Sequence, residues 1–133
     1  MTGAIATVLI VEDEASIRLS VEISLRSLPV RCITAENGQQ ALDLVDADPP
    51  DLILLDVMMP VMNGYQFLRS YRQRYGHATP VIVITAKYDS IDLYWSKKFA
   101  ITEYIQKPFE SGQLRRTVEK ALAASPAPDP SLP

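Results

Sequence analysis

An α/β fold built on an open parallel sheet, with a helix after each strand, is what the sequence predicts, and three observations carry it. Apolar runs of strand length, VLIV at 8–11, LILL at 52–55 and VIVI at 81–84, suit central strands covered on both faces, whereas an antiparallel sandwich would alternate polar and apolar residues. Between the runs lie segments whose apolar residues recur at three and four positions, the helical period. Turn and breaker residues, Asn37-Gly38, Asp48-Pro49-Pro50, Gly64 and Pro80, separate the two kinds of segment.

The elements follow in order. Ala6 to Val11 is the first strand, stopped by Glu12-Asp13-Glu14. Ile17, Val21, Leu25 and Leu28 then share one helical face. Val30 to Thr34 is the second strand, in which Cys32 reads as a small packed hydrophobe. Ala41, Leu42 and Val45 mark the second helix; Asp48-Pro49-Pro50 ends it, because proline lacks a donor N–H and disfavours a helical predecessor. The third strand, Asp51 to Leu55, leaves Asp56 at its carboxyl end. Gly64 precedes a third helix using Phe67, Leu68, Tyr71 and Tyr75, and Pro80 introduces the fourth strand, 81–84. Asp89, with Asp92 three residues on, caps a fourth helix containing Ile91, Trp95 and Lys98, in which Trp95 reads as core or partial core. Thr102 to Ile105 is the fifth strand, and Leu114, Val118, Ala121 and Leu122 mark the last helix. Residues 1–124 are thus expected to form one domain, and 125–133, with four prolines in the last eight residues, a Pro-rich tail or truncated linker.

Composition narrows the function classes. The 133 residues are 47% hydrophobic, enough for one substantial core. Thirteen basic and 16 acidic side chains give a net charge of −3, which offers no broad positive surface to a nucleic-acid backbone. One cysteine excludes an internal disulfide and a CxxC metal site. The first residues, MTGAIATVLIVEDE, lack a basic leader and a spanning run, so a cytoplasmic chain with no membrane association is expected. His77 reads as a solvent-facing loop residue between Gly76 and Ala78.

In an open parallel sheet, reactive groups gather beyond the carboxyl ends of the strands. Glu12 and Asp13 end the first strand, Asp56 the third and Thr85 the fourth, while Lys107 follows the fifth. Each has an ordinary use alone: a strand-end aspartate caps a turn, a threonine bonds local backbone, a lysine is a solvated cation. Their joint placement points instead to one acidic pocket with a cation at its side. Pro60 restricts the chain leaving that pocket, and Gly64 admits a backbone path without a side-chain clash.

The four stretches LIVEDE at 9–14, LLDVMMPVMNG at 54–64, ITAK at 84–87 and YIQKPF at 104–109, in this order, resemble the receiver domain of two-component response regulators, including the stand-alone chemotaxis-type form. The resemblance runs from about Ala6 to Leu122. The setting of Asp89, Trp95 and Tyr104 also resembles, more loosely, receivers of chemotaxis and surface-motility systems. The family implies a flavodoxin-like, doubly wound sheet of five strands in the order 2-1-3-4-5 with five helices. It implies Asp56 as phosphoacceptor, Glu12, Asp13, Asp56 and the Met58 carbonyl as the surroundings of Mg²⁺, with Mn²⁺ as a substitute ion, and Thr85 and Lys107 as partners of the phosphoryl oxygens. It also implies a Thr85/Tyr104 switch, Met58 and Lys87 at the pocket rim, and a cis bond before Pro108, against the general preference for trans.

The implied partners are a histidine kinase or histidine phosphotransfer protein and a downstream protein target, met through the surface of the fourth helix, fifth strand and fifth helix; a weak or phosphorylation-dependent homodimer is a further state open to such a module. Autophosphorylation and self-dephosphorylation would be slow and Mg²⁺-dependent, in a protein whose main role is signalling. Two other readings compete: a phosphorylation-independent interaction module with the same architecture, and a flavodoxin-like small-molecule domain. The second fits poorly, because a flavin phosphate would meet added carboxylates. One departure from the family pattern stands at Ala100-Ile101, where Gly-Ala is more usual.

Overall fold

A computed structural model describes residues 5–57, 59, 62–86 and 90–124, the side chains of 90–93 excepted. Met58, Pro60, Lys87, Asp89 and the 125–133 segment lie outside the described residues, as do the side chains of Ile91 and Asp92. Strands and helices alternate as β1 (Ala6–Val11), α1 (Ala15–Ser24), β2 (Val30–Ala35), α2 (Gly38–Ala47), β3 (Leu52–Asp56), α3 (Gly64–Tyr75), β4 (Val81–Thr85), α4 (Ser90–Lys98), β5 (Glu103–Gln106) and α5 (Ser111–Ala124). The sheet is parallel and ordered β2-β1-β3-β4-β5, the doubly wound topology expected.

Alternation along each strand divides the core in two. Leu9, Val11, Ile53, Leu55, Val81 and Val83 face one side and meet Ala41, Leu42 and Val45 of α2 and Phe67, Leu68 and Tyr71 of α3. Val8, Ile10, Leu52, Leu54, Ile82, Ile84 and Ile105 face the other and meet Val21 and Leu25 near α1 and Leu114, Val118 and Ala121 of α5. The apolar runs are continuous because both faces are covered. Cys32 is half-buried against the second cluster, as expected, and burial raises its thiol pKa.

Boundaries moved by small steps. β2 and β4 each reach one residue further than their patterns indicated, while β3 and β5 shift one residue along, starting at Leu52 and Glu103 and ending at Asp56 and Gln106. α1 stops at Ser24, with Leu25 as its cap and Leu28 in the following turn, since Pro29 disfavours a helical Leu28. Tyr75, expected on the core face of α3, is exposed instead; its hydroxyl donates to Asp46 across the α2–α3 surface. Trp95 is half-buried, ring-stacked on Phe99 at 5.2 Å. His77 is exposed in its loop.

Two backbone details position the site. Asn63 and Gln66 form a capping box at the start of α3, which fixes where the helix begins. A Cβ on Gly64 would lie 2.6 Å from the Asp56 carbonyl oxygen and 2.7 Å from Val57 Cα, so the helix start presses directly on the end of β3. At the other end of the sheet, Ala100 has φ of 54°, a left-handed conformation that costs a residue with a Cβ. It is held by the buried Arg72, whose guanidinium donates to the carbonyls of Phe99 (2.9 Å) and Ala100 (3.3 Å).

These two positions predict opposite responses in urea unfolding. Gly64→Ala should lower stability by roughly 1–3 kcal/mol through backbone overlap. Ala100→Gly should raise it by about 0.5–1 kcal/mol, as left-handed strain is relieved.

Candidate functional site

Strand register assembles the site. Val11 pairs with Leu55, so the next step along both strands sets Glu12 beside Asp56 at the point where strand order reverses. Asp56 pairs with Ile84, which puts Thr85 one residue beyond; Thr85 pairs with Gln106, and the Lys107 amide donates to the Thr85 carbonyl at 2.7 Å. Glu12, Asp13, Asp56, Thr85 and Lys107 therefore reach the carboxyl end of the sheet, while Tyr104 lies within β5, paired with Val83.

Carboxylate oxygens of Glu12, Asp13 and Asp56 lie within 4.8 Å of one another. Glu12 and Asp56 are buried and Asp13 is exposed, so the cluster has dry inner walls and a wet mouth. The Lys107 ammonium reaches into it, 3.0 Å from Glu12 Oε1 and 3.5 Å from Asp56 Oδ2. Lys107 pairs with both carboxylates, and Glu12 is the closer partner. The Lys107–Pro108 bond is cis, as the resemblance implied.

Electrostatics follow from this geometry. Burial raises the Glu12 pKa to about 7, opposed by the Lys107 hydrogen bond and reinforced by the Asp56 charge. For Lys107 burial acts against the ammonium, but the Glu12 hydrogen bond and the Asp56 and Glu12 charges outweigh it and hold the pKa above the usual lysine value. Three oxygen donors around one point are the hard ligands that Mg²⁺ prefers, and a single ammonium among three carboxylates leaves a negative balance suited to a divalent ion.

Two residues that sequence reasoning did not single out support the site. Arg18 donates to the Glu12 carbonyl at 2.9 Å and pairs with Glu36 at 3.5 Å, clamping the turn between β1 and α1. Its only sequence signal was helical spacing of four from Glu14. Tyr65 shares a hydroxyl–hydroxyl hydrogen bond of 3.1 Å with Tyr104, and a separation of 39 positions left no signal at all.

Comparison with known proteins agrees with the geometry. Residues 8–119 match the model of the response regulator receiver domain. The chain is 35% identical over 122 residues to the response regulator ArlR of Staphylococcus aureus, covering 92% of this chain and 55% of that protein. It is also 35% identical over 115 residues to the probable transcriptional regulator ycf27 of Guillardia theta, covering 86% and 44%. The chain thus spans about half the length of these curated relatives. Among solved structures, the chemotaxis protein CheY4 of Vibrio cholerae superposes with a TM-score of 0.82 at 32% identity, over 89% of this chain and 99% of that one. The receiver domain of the sensor histidine kinase PA1611 of Pseudomonas aeruginosa, which carries a magnesium ion in its active-site cleft, superposes with a TM-score of 0.80 at 30% identity, over 91% and 100%. With the doubly wound sheet and the acidic cluster at its switch point, these matches show that the chain belongs to the response regulator receiver domain family.

Proposed function

We propose that the chain is a Mg²⁺-dependent phosphoacceptor, with Asp56 as the residue that takes the phosphoryl group and a histidine kinase or histidine phosphotransfer protein as donor. One observation carries the reading: three carboxylates within 4.8 Å, two of them buried, share a site with one inserted ammonium. Packing alone gives no reason to hold such charges together. The magnesium site of the PA1611 receiver supports the same use here.

The chain's own residues then divide the work. Asp56, fixed at the end of β3, presents a carboxylate oxygen that attacks phosphorus; the bond from phosphorus to the donor nitrogen breaks, and the electron pair leaves with the donor imidazole. Glu12, Asp13 and Asp56, with the Met58 carbonyl, would hold the ion, whose charge offsets the approach of one anion to another. Lys107 turns from the carboxylates to a phosphoryl oxygen, and the Thr85 hydroxyl donates to another. Thr85 is buried at the strand end, so its movement toward the new anion opens space on its far side. On this reading Tyr104, two residues before Gln106 on the adjacent strand, fills it and so alters the surface of α4, β5 and α5. A downstream protein that reads this surface is the output. Met58 and Lys87, two residues beyond Asp56 and Thr85, are assigned to the pocket rim, and Pro60 and Pro108 to restraint of the flanking turns. On this reading residues 1–124 are the receiver unit and 125–133 a tail or linker.

Intact-mass measurement with acetyl phosphate and Mg²⁺ should show one added phosphoryl group, labile to acid and to base as an acyl phosphate is, located on Asp56. The signal should vanish in Asp56→Asn and on chelation of the ion; labelling that persists in that variant rejects the assignment.

A second expectation concerns pH. The folded-state pKa of Glu12 is raised, so its contribution to stability is full below about 4.5 and is lost as pH rises through about 7. Without divalent ion, stability should fall by on the order of 1–3 kcal/mol between pH 5 and 8, and Glu12→Gln should flatten that slope. Mg²⁺ competes with the Glu12 proton, so its affinity should rise over the same interval, as read by calorimetry.

A further inference from the structure

Tyr65 joins parts of the molecule that the sequence keeps apart. It is the second residue of α3, directly after Gly64, whose amide donates to the Val57 carbonyl at 3.1 Å. Because Gly64 has no room for a side chain against Asp56 and Val57, the backbone carrying Tyr65 is pinned to the acceptor loop. From that fixed point the side chain reaches both β5 and α4. Its hydroxyl bonds the hydroxyl of Tyr104 on β5 at 3.1 Å. Its ring stacks on Trp95 of α4 with centroids 5.3 Å apart and planes 25° from parallel, and Trp95 in turn stacks on Phe99 at 5.2 Å and 4°.

Tyr104 is half-buried and packs with Tyr65 and Trp95 against the core cluster of β3, α2 and α3. Its side chain is therefore turned toward that core cluster. This is the orientation that the proposed switch requires, and it has a structural cause in the unmodified chain's own contacts. A hydroxyl partner anchored to the acceptor loop supplies a reason.

We propose that Tyr65 is a positioning residue: its hydroxyl holds Tyr104 inward, and its ring carries that orientation to α4 through Trp95. The consequence for phosphorylation rests on the phosphoacceptor reading; the hold on Tyr104 does not. A single hydrogen bond shifts a two-state side-chain equilibrium by about fivefold, and any ligand that selects the inward form gains or loses apparent affinity by the same factor.

Tyr65→Phe tests this, since it deletes one hydroxyl and keeps the ring stack. The chain has a single tryptophan, so an unchanged Trp95 emission spectrum verifies that the stack survives. Nitration by tetranitromethane, mapped by mass spectrometry, then reads Tyr104 accessibility in the unphosphorylated protein, with the exposed Tyr94 as internal standard. Tyr104 should be nitrated about fivefold faster in Tyr65→Phe than in the parent chain. Labelling of Asp56 by acetyl phosphate should slow by a similar factor, and the same substitution should have no effect in a Tyr104→Phe background.

Equal nitration of Tyr104 in the two proteins overturns the proposal. Faster nitration with unaltered labelling overturns its link to the acceptor. Faster nitration in a chain that takes no phosphoryl group supports the hold on Tyr104 and removes the phosphoacceptor reading instead.

Discussion

Glu12, Asp13 and Asp56 repel one another, and the rest of the molecule is arranged so that their carboxylate oxygens nevertheless lie within 4.8 Å of one another. Parallel pairing of β1 with β3 fixes Glu12 beside Asp56, and burial removes the water that would screen them. The Lys107 ammonium, delivered by β5 through the Thr85 carbonyl, offsets part of the repulsion. The cost is visible in Glu12, whose proton is held to about pH 7. A site with that much uncompensated negative charge favours a divalent cation, and the cation in turn makes attack on an anionic phosphoryl group feasible.

The scaffold's devices for holding this arrangement lie mostly in the backbone. The Asn63–Gln66 capping box sets the first turn of α3, and Gly64 lets that turn rest on the end of β3. Arg18 clamps the opposite wall through the Glu12 carbonyl. Further away, Arg72 bonds the chain between α4 and β5, where Ala100 occupies a left-handed conformation. Buried guanidinium and strained alanine belong to one local solution: the carbonyls turned toward Arg72 leave it hydrogen-bonded without a carboxylate partner among the described residues.

The proposed switch has a candidate path through aromatic side chains. The hydroxyl pair of Tyr65 and Tyr104 and the stack of Tyr65, Trp95 and Phe99 connect the acceptor loop, β5 and α4 without relying on one long lever. Stacked rings in a packed core move as discrete rearrangements, which suits a two-state response better than gradual deformation does. Tyr94, edge-on to Trp95 and exposed, places the outer end of this path at the surface.

The fold was legible in the sequence because its signals are local: uninterrupted apolar runs require two covered faces, and Asp48-Pro49-Pro50 or Asn37-Gly38 punctuates a chain in any context. The candidate site was legible for a related reason, since strand polarity alone sends Glu12, Asp56, Thr85 and Lys107 to the same edge. Other features depended on distances that no local pattern encodes. Tyr75 fits the helical period of the core face yet lies outside it, bonded to Asp46 of a neighbouring helix. Whether Lys107 sits closer to Glu12 or Asp56, and that Tyr65 meets Tyr104, were decided by packing between elements far apart in the chain, because side-chain reach and ring placement exist only after the sheet and helices have closed around them.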